Sequence, residues 1–490
     1  MLMTVITPSS LVQSPEFSSL SDHVIGATGL CYFRDHQESL AVCLAERMCK
    51  RGLSECGPYL ELLRENQDAN AELDSLVELL TIGETYFFRH QELFEALKTT
   101  VFPEIIRKNE NVRRMRIWSA GCSFGAEAYS LSILLRRELG GRLQGWDVSI
   151  LGTDINRKFL ARAAHGCFED WALREISDEL RAACFRREGK LWRIDPRYQD
   201  GVSFQYHNLA RHPFPSLVHN LFAFDLILCR NVLIYFGLEV SRRVADQAHH
   251  SLVEGGWLAV GPAEYSVELF RHFETVSIPQ VAFYRRREGS DHRLIETGEN
   301  EKIITERFDL PSAGFLPSSL FPRPPESVGK QAQPLVKTEN TRQLLTAKTA
   351  APASGPSPNT ELLHLRQLAD RGEIGTALKL CQQLLVANRM DPVCHFYYGL
   401  LLDQVAPHER AEEALRRAIY LDRDFALAHY YLGLVQLKQN LEADAIRSFR
   451  NVVRLLDQNP PDELVPNSDG LAVGELQELA HMHIETLNEP

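Results

Sequence analysis

The stretch that decides the fold is RIWSAGCSFGAEAYS, residues 116–130. Its first half is a short apolar run typical of a buried β-strand, and Gly121 and Gly125 flank the turn that follows. A helix begins at once, because the stretch AEAYSLSILLRRELGG (126–141) is amphipathic and ends in glycines. A strand, a glycine turn and a helix in this order predict one unit of an α/β fold.

Four more short apolar runs alternate with helical stretches further along the chain. They are VSILGTDIN (148–156), VSFQYHN (202–208), FDLILCRN (224–231) and GWLAVGPAE (256–264). This alternation predicts a parallel, doubly wound sheet with helices on both faces. In such sheets, ligands bind beyond the C-terminal ends of the strands.

The regions around the sheet divide the chain further. Apolar residues at steps of three and four predict a small all-α domain at 16–85, followed by the α/β domain at 86–287. Nine of the 24 prolines lie between Pro311 and Pro358 among polar residues, so 288–358 is interpreted as a flexible linker. The chain is therefore expected to be multidomain.

A 34-residue repeat marks the remaining region, 359–490. DPVCHFYYGLLLDQ (391–404) and DFALAHYYLGLVQL (424–437) align with Gly399 over Gly433. The period resembles the tetratricopeptide repeat, in which small residues let paired helices pack closely. The last apolar stretch, LAVGELQELAHMHIETL, predicts a capping helix, and the helical domain is expected to bind a protein or peptide.

Composition excludes several classes of function. The net charge of −12 argues against a nucleic-acid partner, which would require clustered Lys and Arg. No secretory signal and no run of 18 apolar residues is visible, so a cytoplasmic protein without membrane insertion is expected. The ten cysteines form no C-x-x-C pair and no zinc-site spacing, so no metal is expected.

Two features at predicted strand ends indicate a nucleoside-containing ligand. Gly121 and Gly125 let a ligand approach the backbone at a helix N-terminus. Asp154 ends the second strand, where a carboxylate can accept hydrogen bonds from ribose hydroxyls. The absence of a GxxxxGK[ST] motif disfavours ATP or GTP. The alternatives are a tight turn without a ligand and a helix-capping role for Asp154.

Five motifs carry a resemblance to a known family. LTIGETYFFR (80–89), RIWSAGCSFGAEAYS, GTDIN, FDLILCRNVLIYF and GPAE occur in the order and spacing of chemotaxis receptor (protein-glutamate) methyltransferases. The resemblance covers roughly residues 16–287. The added linker and repeats resemble the methyltransferases of surface-sensing, biofilm-controlling chemosensory systems.

This resemblance implies a reaction and its participants. S-adenosylmethionine (SAM) would donate a methyl group to glutamate carboxylates in the cytoplasmic helical domain of a methyl-accepting chemoreceptor, leaving S-adenosylhomocysteine. One alternative is a SAM-sensing or receptor-binding scaffold that acts through the repeats with weak catalysis. Another is a methyltransferase for a small molecule or RNA, which the acidic balance and the five motifs disfavour.

The resemblance also assigns site residues. Arg89 and Tyr235 are implied to act at the reacting centre. The residues implied to bind the cofactor are Thr85, Arg89, Glu127, Asp154, Asn208, Leu209, Cys229, Arg230 and Asn231. Without their motifs, Arg89 would be a surface charge, Tyr235 a core aromatic and Cys229 a small buried residue. Glu127 would then be only an acidic first-turn residue that the helix dipole favours.

The sequence departs from the family pattern at several positions. Gly83 stands in place of a usual Asn, and the substitutions near Glu127 and in the last motif are Phe124, Ala126, Ala128, Pro262 and Ala263. The segment FRREGKLWRIDPRYQDG (185–201) lacks the glycine-rich loop of enzymes that dock on a receptor tail, so tail-independent docking is predicted.

A basic turn lies on an N-terminal helix. It consists of Arg47, Lys50 and Arg51, and in the family such a helix faces acidic receptor helices. The turn is therefore either a surface that steers the receptor or a solvated charged face.

Overall fold

A computed structural model describes residues 7–65, 69–278, 281–287 and 358–488 of the 490-residue chain. The linker expected at 288–358 lies outside these residues, except for Pro358, which begins a helix. None of the described helices combines the length and the apolar character that crossing a bilayer requires.

The N-terminal part is a cluster of short helices, as expected. The helices are α1 (Pro8–Val12), α2 (Phe17–Thr28), α3 (Tyr32–Asp35), α4 (Gln37–Lys50), α5 (Cys56–Glu65) and α6 (Ala69–Leu80). Their apolar faces form one core, which includes the fully buried side chains of Leu20, Leu44 and Tyr59. Gly29 ends α2 in the left-handed conformation that favours glycine.

The central part is a seven-stranded sheet. Its strands are β1 (Arg114–Ala120), β2 (Asp147–Asp154), β6 (Val202–Tyr206), β7 (Phe224–Cys229), β8 (Leu252–Val260), β9 (Phe273–Ile278) and β10 (Val281–Arg286). The spatial order is β6-β2-β1-β7-β8-β10-β9. The first five strands are parallel, and they are the five that the sequence predicts.

The expectation of an entirely parallel sheet is wrong at one edge. Strand β10 pairs antiparallel with both β8 and β9. Antiparallel strands can be joined by a short connection, whereas parallel neighbours need a crossover of a dozen residues or more. Strands β9 and β10 are only two residues apart in the sequence and Ile278 pairs with Val281, so β10 reverses the direction of β9 and lies antiparallel between β9 and β8.

Helices cover both faces of the sheet. They are α7 (Gln91–Ala96), α8 (Phe102–Lys108), α9 (Ala126–Glu138), α10 (Arg157–His165) and α12 (Leu238–Ser251), and a π-helical turn, Leu97–Val101, joins α7 to α8. A further helix, α11 (Asp178–Cys184), lies in the insertion before β6. Alternation along β1 separates the two faces: Ile117 packs in the cluster under α7, α8 and α9, whereas Trp118 packs in the cluster under α12. The sheet is therefore doubly wound, as predicted.

A small three-stranded sheet is inserted before β6. It consists of β3 (Cys167–Phe168), β4 (Phe185–Glu188) and β5 (Leu191–Ile194), in the order β3-β5-β4. Glu188 pairs with Leu191, so the β4–β5 turn contains only two residues, Gly189 and Lys190.

The C-terminal part consists of helix pairs. The helices are α13 (Pro358–Asp370), α14 (Ile374–Ala387), α15 (Pro392–Val405), α16 (His408–Leu421), α17 (Ala426–Lys438), α18 (Glu442–Leu456) and α19 (Val473–Asn488). A Cβ atom at Gly399 would lie 2.8 Å from Leu415, and one at Gly433 would lie 2.7 Å from Phe449, the residue 34 positions after Leu415. The two glycines therefore have the same packing role, and the helical repeat is confirmed, whereas the capping role of α19 stays a prediction.

The repeat helices pack directly on the loop between β6 and β7. Leu217, Val218 and Phe222 of this loop belong to the same buried apolar cluster as the cores of α13 to α19. Gln404 of α15 accepts hydrogen bonds from Arg116 and Arg114 of β1. The repeat helices thus share one apolar cluster with the β6–β7 loop of the sheet domain.

Candidate functional site

The predicted site residues converge because the C-terminal ends of parallel strands meet at one edge of the sheet. Ala120, the last residue of β1, is in register with Thr153 of β2 and with Cys229 of β7. Asp154 is in register with Tyr206, the last residue of β6. This edge is where the ligand of a doubly wound sheet is expected.

The glycine turn after β1 is the nearest backbone to this edge. Gly121 and Gly125 have φ values of +71° and +82°, which residues with a side chain rarely adopt. A Cβ atom at Gly121 would lie 2.3 Å from a methyl carbon of Val232, so the turn leaves no space for a side chain there. Gly125 is the N-cap of α9, so the amides of the first helical turn face the edge.

Asp154 is buried beside this turn. Its carboxylate accepts hydrogen bonds from the amides of Ser123 at 2.8 Å and Asn156 at 2.9 Å. Burial raises the pKa of Asp154 to about 6, although these amides oppose the shift. The cap of α10 is Asn156, whose side chain accepts from Phe159, so the capping alternative for Asp154 is wrong.

Glu127 and Arg230 form a buried ion pair across the site. The Glu127 carboxylate accepts from Arg230 at 2.8 Å and from the Ser119 hydroxyl at 2.7 Å. Arg230 also donates to the Arg89 carbonyl at 3.0 Å and contacts the His90 ring. Burial, reinforced by Arg230 and Arg89, lowers the pKa of His90 to about 4, so its neutral ring can accept that contact.

Arg89 precedes Glu127 and Arg230 in the sequence, and Tyr235 follows them. The Arg89 charge nevertheless acts on the Tyr235 hydroxyl. Arg89 donates to the Glu84 carbonyl at 3.0 Å, and its buried Nε has no protein partner among the described residues. The Tyr235 ring meets the edge of Tyr32 at 6.0 Å between centroids. Burial raises the pKa of Tyr235, and the nearby Arg89 charge opposes the shift. Tyr235 is half-buried and packs against the apolar core of the N-terminal helices.

The turn that carries Tyr235 depends on a residue that the sequence interpretation missed. The buried Glu264 carboxylate accepts from four backbone amides, those of Gly261, Asn231, Val232 and Leu233, at 2.6–2.8 Å. These bonds fix the path from Asn231, which has a φ of +59°, to the turn Leu233–Tyr235. The motif GPAE was a signal for Glu264, but three of its four partners are 31–33 residues away in sequence.

The other predicted residues occupy varied surroundings. Asn208 is buried and donates to the Ala27 carbonyl of α2 at 2.9 Å, which joins the site to the N-terminal helices. Leu209 packs in the apolar cluster under α12. Burial raises the pKa of the Cys229 thiol well above its usual value, so it stays protonated. Thr85 is half-buried between Glu84 and Tyr86.

Two departures from the family pattern are physically linked. A Cβ atom at Gly83 would lie 2.4 Å from the Phe124 ring, which packs on Phe159 at 4.3 Å between centroids. Arg162 lies over the other side of the ring at 4.2 Å. The large residue at 124 therefore requires the absence of a side chain at 83.

The basic turn of α4 faces inward in part. Arg47 and Arg51 both bind the carboxylate of Glu72, whose side chain has no exposed area, and Tyr59 donates to the same carboxylate. Lys50 pairs with Glu46 on the surface. Arg47 and Arg51 thus hold a buried carboxylate, while Lys50 and part of Arg51 lie at the surface, where both interpretations of the turn stay predictions.

The residues at this edge suit the functional groups of SAM. Asp154 offers carboxylate oxygens for hydroxyls, Glu127 carries a negative charge for a cation, and the glycine turn lets a ligand approach the backbone. The buried Ser123 hydroxyl and the Arg89 Nε have no partner within the described chain. Among all the residues that the structure describes, no group of three or more His, Cys, Asp or Glu side chains is arranged to hold a metal ion.

Comparison with known proteins identifies the family. Residues 83–282 match the model described as "CheR methyltransferase, SAM binding domain". A chemotaxis protein methyltransferase of Listeria monocytogenes is 33% identical over 208 residues, which cover 41% of this chain and 75% of that protein. Chemotaxis protein methyltransferase 1 of Pseudomonas aeruginosa is 33% identical over 248 residues, 49% of this chain and 87% of that protein.

A further relative matches a longer part of the chain. It is the probable biofilm formation methyltransferase WspC of Pseudomonas aeruginosa, 27% identical over 387 residues, which cover 78% of this chain and 86% of that protein. The fold and the matched domain define a SAM-dependent methyltransferase. The chain belongs to the CheR family of chemotaxis protein methyltransferases, and its extent of similarity to WspC is consistent with a WspC-like member.

Proposed function

We propose that the chain transfers a methyl group from SAM to glutamate side chains of a chemoreceptor-like protein and thereby tunes chemosensory signalling, including surface-sensing or biofilm signalling. The observation that carries the proposal is the buried network of Glu127, Arg230 and the Arg89 backbone beside Asp154 and the glycine turn. In a CheR-family chain, this network lies at the edge of the sheet where SAM and a glutamate side chain of the receptor would meet.

Each assigned residue then has a defined part in binding. Asp154 would accept the ribose hydroxyls, Glu127 would face the amino end of the methionine moiety, and Asn208 and Leu209 would border adenine. Thr85, Cys229, Arg230 and Asn231 would complete the wall of the pocket. Support comes from the burial of Asp154, Asn208 and Arg230, whose polar groups are already oriented by hydrogen bonds.

The chemistry requires no general base. A glutamate side chain has an unperturbed pKa near 4.3, so at pH 7 it is an ionised nucleophile. SAM supplies an electrophilic methyl on a sulfonium. A carboxylate oxygen forms a bond to the methyl carbon as the carbon–sulfur bond breaks, giving the ester and S-adenosylhomocysteine. Charge is lost in this step, so a dry pocket and correct alignment favour it, with alignment worth roughly 7–11 kcal/mol.

Arg89 and Tyr235 would position the reacting groups. Arg89 would hold a carboxylate or close the cofactor pocket, and the Tyr235 hydroxyl would orient the incoming oxygen. The Arg89 charge acts on the Tyr235 hydroxyl, which supports these two positioning roles. A tight Arg–carboxylate pair would also stabilise the ground state, so geometry matters more than strength.

The receptor would dock without its tail. The small inserted sheet turns from β4 to β5 in two residues, Gly189 and Lys190, which supports the absence of a long tail-binding loop. The enzyme would act in the cytoplasm, on the helical domain of the receptor, and the repeats would bind a protein or peptide of the same signalling system.

The test is SAM calorimetry followed by transfer of a tritiated methyl group to receptor cytoplasmic domains. We expect SAM binding and label that alkali releases as methanol. Binding without base-labile label would contradict the proposal and favour the scaffold. A receptor with its tail deleted should be methylated as fast as the intact one, and a much slower rate would contradict tail-independent docking.

A further inference from the structure

The last helix of the repeat domain approaches the edge of the sheet that holds the cofactor-site residues. Glu475 of α19 accepts from the His212 Nε2 atom at 3.0 Å, and both side chains are largely buried. The second oxygen of Glu475 accepts from the Ala472 amide at 3.0 Å, which fixes the carboxylate at the start of the helix.

His212 links Glu475 to the side of the site that is proposed to border adenine. Its Nδ1 atom accepts from the Asn208 amide at 3.3 Å. An imidazole that accepts at Nδ1 carries its hydrogen on Nε2, so it donates that hydrogen to Glu475. The backbone of Asn208 is therefore tied through one ring to the repeat domain, while its side chain is tied to Ala27 of α2.

A second contact of the same helix reaches the proposed ribose side. Glu478 pairs with Arg157 at 2.9 Å, and Arg157 also donates to Asp74 of α6 at 2.9 Å. The Arg157 guanidinium lies 3.8 Å over the Tyr206 ring, at the end of β6. Arg157 directly follows the N-cap of α10, three residues after Asp154, so this pair borders the carboxylate proposed to bind ribose.

We propose that Glu475 and Glu478 are positioning residues for the cofactor site, supplied by the repeat domain. They hold the ends of β6 and β2 through His212 and Arg157 and so keep the adenosine half of the site in its binding geometry. The inference rests on the SAM-binding part of the proposed function and not on the identity of the methyl acceptor. The repeat domain is then part of the cofactor site as well as a module for partners.

The test measures the dissociation constant of SAM by calorimetry in full-length variants. We expect Glu475→Ala to weaken SAM binding about fivefold, in the range of couplings carried by packed contacts. Glu475→Gln keeps an oxygen that can accept from His212 and should restore most of the affinity. Glu485→Ala, at an exposed position of the same helix, is the matched control and should bind as the wild type does.

Rescue by the glutamine variant separates positioning from a loss of packing, and a thermal melt shows whether each variant is folded. If Glu475→Ala does not fold, Glu478→Ala, which removes the partner of Arg157, carries the same test and should also weaken SAM binding. Folded Glu475→Ala or Glu478→Ala with wild-type affinity overturns the inference. Wild-type chain that binds SAM but transfers no methyl to receptor glutamate overturns the proposed function and leaves this test intact, because the test needs only SAM binding.

Discussion

At the scale of single residues, most polar groups of the site are hydrogen-bonded to one another. A few have no partner in the described chain and could bind a ligand. Arg230, Glu127 and Asp154 are oriented by hydrogen bonds within the chain, and the two carboxylates can accept further hydrogen bonds, whereas the Ser123 hydroxyl and the Arg89 Nε have no partner among the described residues. This division is typical of a pocket whose shape is formed before the ligand arrives. The account therefore assigns alignment, more than bonding strength, to the reacting-centre residues.

Arg89→Ala and Tyr235→Phe test that assignment. Each should lower the single-turnover rate of methyl transfer roughly 10- to 100-fold, because small misalignments of reacting atoms have effects of this size. Neither side chain is fully buried, so the melting temperature should change little. A wild-type single-turnover rate in both variants would refute their positioning role.

The pair of Gly83 and Phe124 gives a test by double substitution. Gly83→Asn should destabilise the fold by about 1–3 kcal/mol, because the new side chain overlaps the Phe124 ring. Adding Phe124→Thr should remove most of that loss, with a coupling free energy of about 1 kcal/mol or more in urea unfolding. Additive effects of the two substitutions would show that the ring and the glycine are not linked.

The sequence reveals residue types at this scale, but not their partners. The resemblance to the methyltransferase family, carried by the five motifs, implied that Arg89, Glu127 and Arg230 belong to one site, and the structure joins Arg230 to Glu127 and to the Arg89 carbonyl by hydrogen bonds. The bonds from the amides of Asn231, Val232 and Leu233 to Glu264, and the histidine that ties Asn208 to α19, could not be predicted, because they join segments far apart in the chain. Such contacts follow from packing and leave no local pattern.

At the scale of elements, the sheet shows which kinds of strand can be predicted from the sequence. Strands β1, β2, β6, β7 and β8 are buried apolar runs and were predicted from them. Strands β9 and β10 are partly exposed, with a burial pattern that does not form a continuous apolar run, and they were missed. An antiparallel pair at a sheet edge needs less apolar surface than a central parallel strand, so its signal is weaker.

The helix pair α4 and α6 depends on the buried carboxylate of Glu72. Burial alone would raise the pKa of Glu72, but hydrogen bonds from Arg47, Tyr59 and Arg51 outweigh it and hold the pKa below its usual value. Glu72→Gln should lower the free energy of unfolding at pH 7 by about 3 kcal/mol, because it leaves buried charges without a partner. Chemical denaturation measures this loss.

The pH dependence gives a second check on the same pair. A carboxyl whose folded pKa is lowered stabilises the fold fully above its unfolded pKa, near 4.3, and loses that contribution as pH falls through the folded pKa. The difference between wild type and Glu72→Gln should therefore shrink in acid. Glu46→Gln, in an exposed pair with Lys50, should change stability by less than about 1 kcal/mol at pH 7. Equal effects of the two variants would contradict the internal role of Glu72.

At the scale of the whole molecule, the repeat helices and the sheet domain are not independent. The β6–β7 loop contributes Leu217, Val218 and Phe222 to the core of the repeats, and Ser216 donates to Asp469 at 2.8 Å. The sequence predicted the two domains as separate folds joined by a linker, and their shared core is not visible in any single motif. Complementary surfaces in different parts of a chain leave no periodic signal.

Cleavage between the domains tests this shared core. A chain with a protease site inserted near residue 320 should, after cutting, elute as one complex in size-exclusion chromatography, because the buried apolar cluster holds the two fragments together. Phe222→Ala, expected to remove about 3 kcal/mol or more from the cluster, should promote separation. Complete separation of the unmutated fragments at micromolar concentration would contradict a stable interface.

The central claim is that the methyl of SAM is delivered to a receptor glutamate oxygen. The most direct measurement is tandem mass spectrometry of a receptor cytoplasmic domain after incubation with this chain and SAM that carries a deuterated methyl group. We expect deuterated methyl on glutamate side chains, removed by mild base and greatly reduced with Arg89→Ala. Label on another residue type, or an unlabelled receptor in the presence of chain that binds SAM, would contradict it.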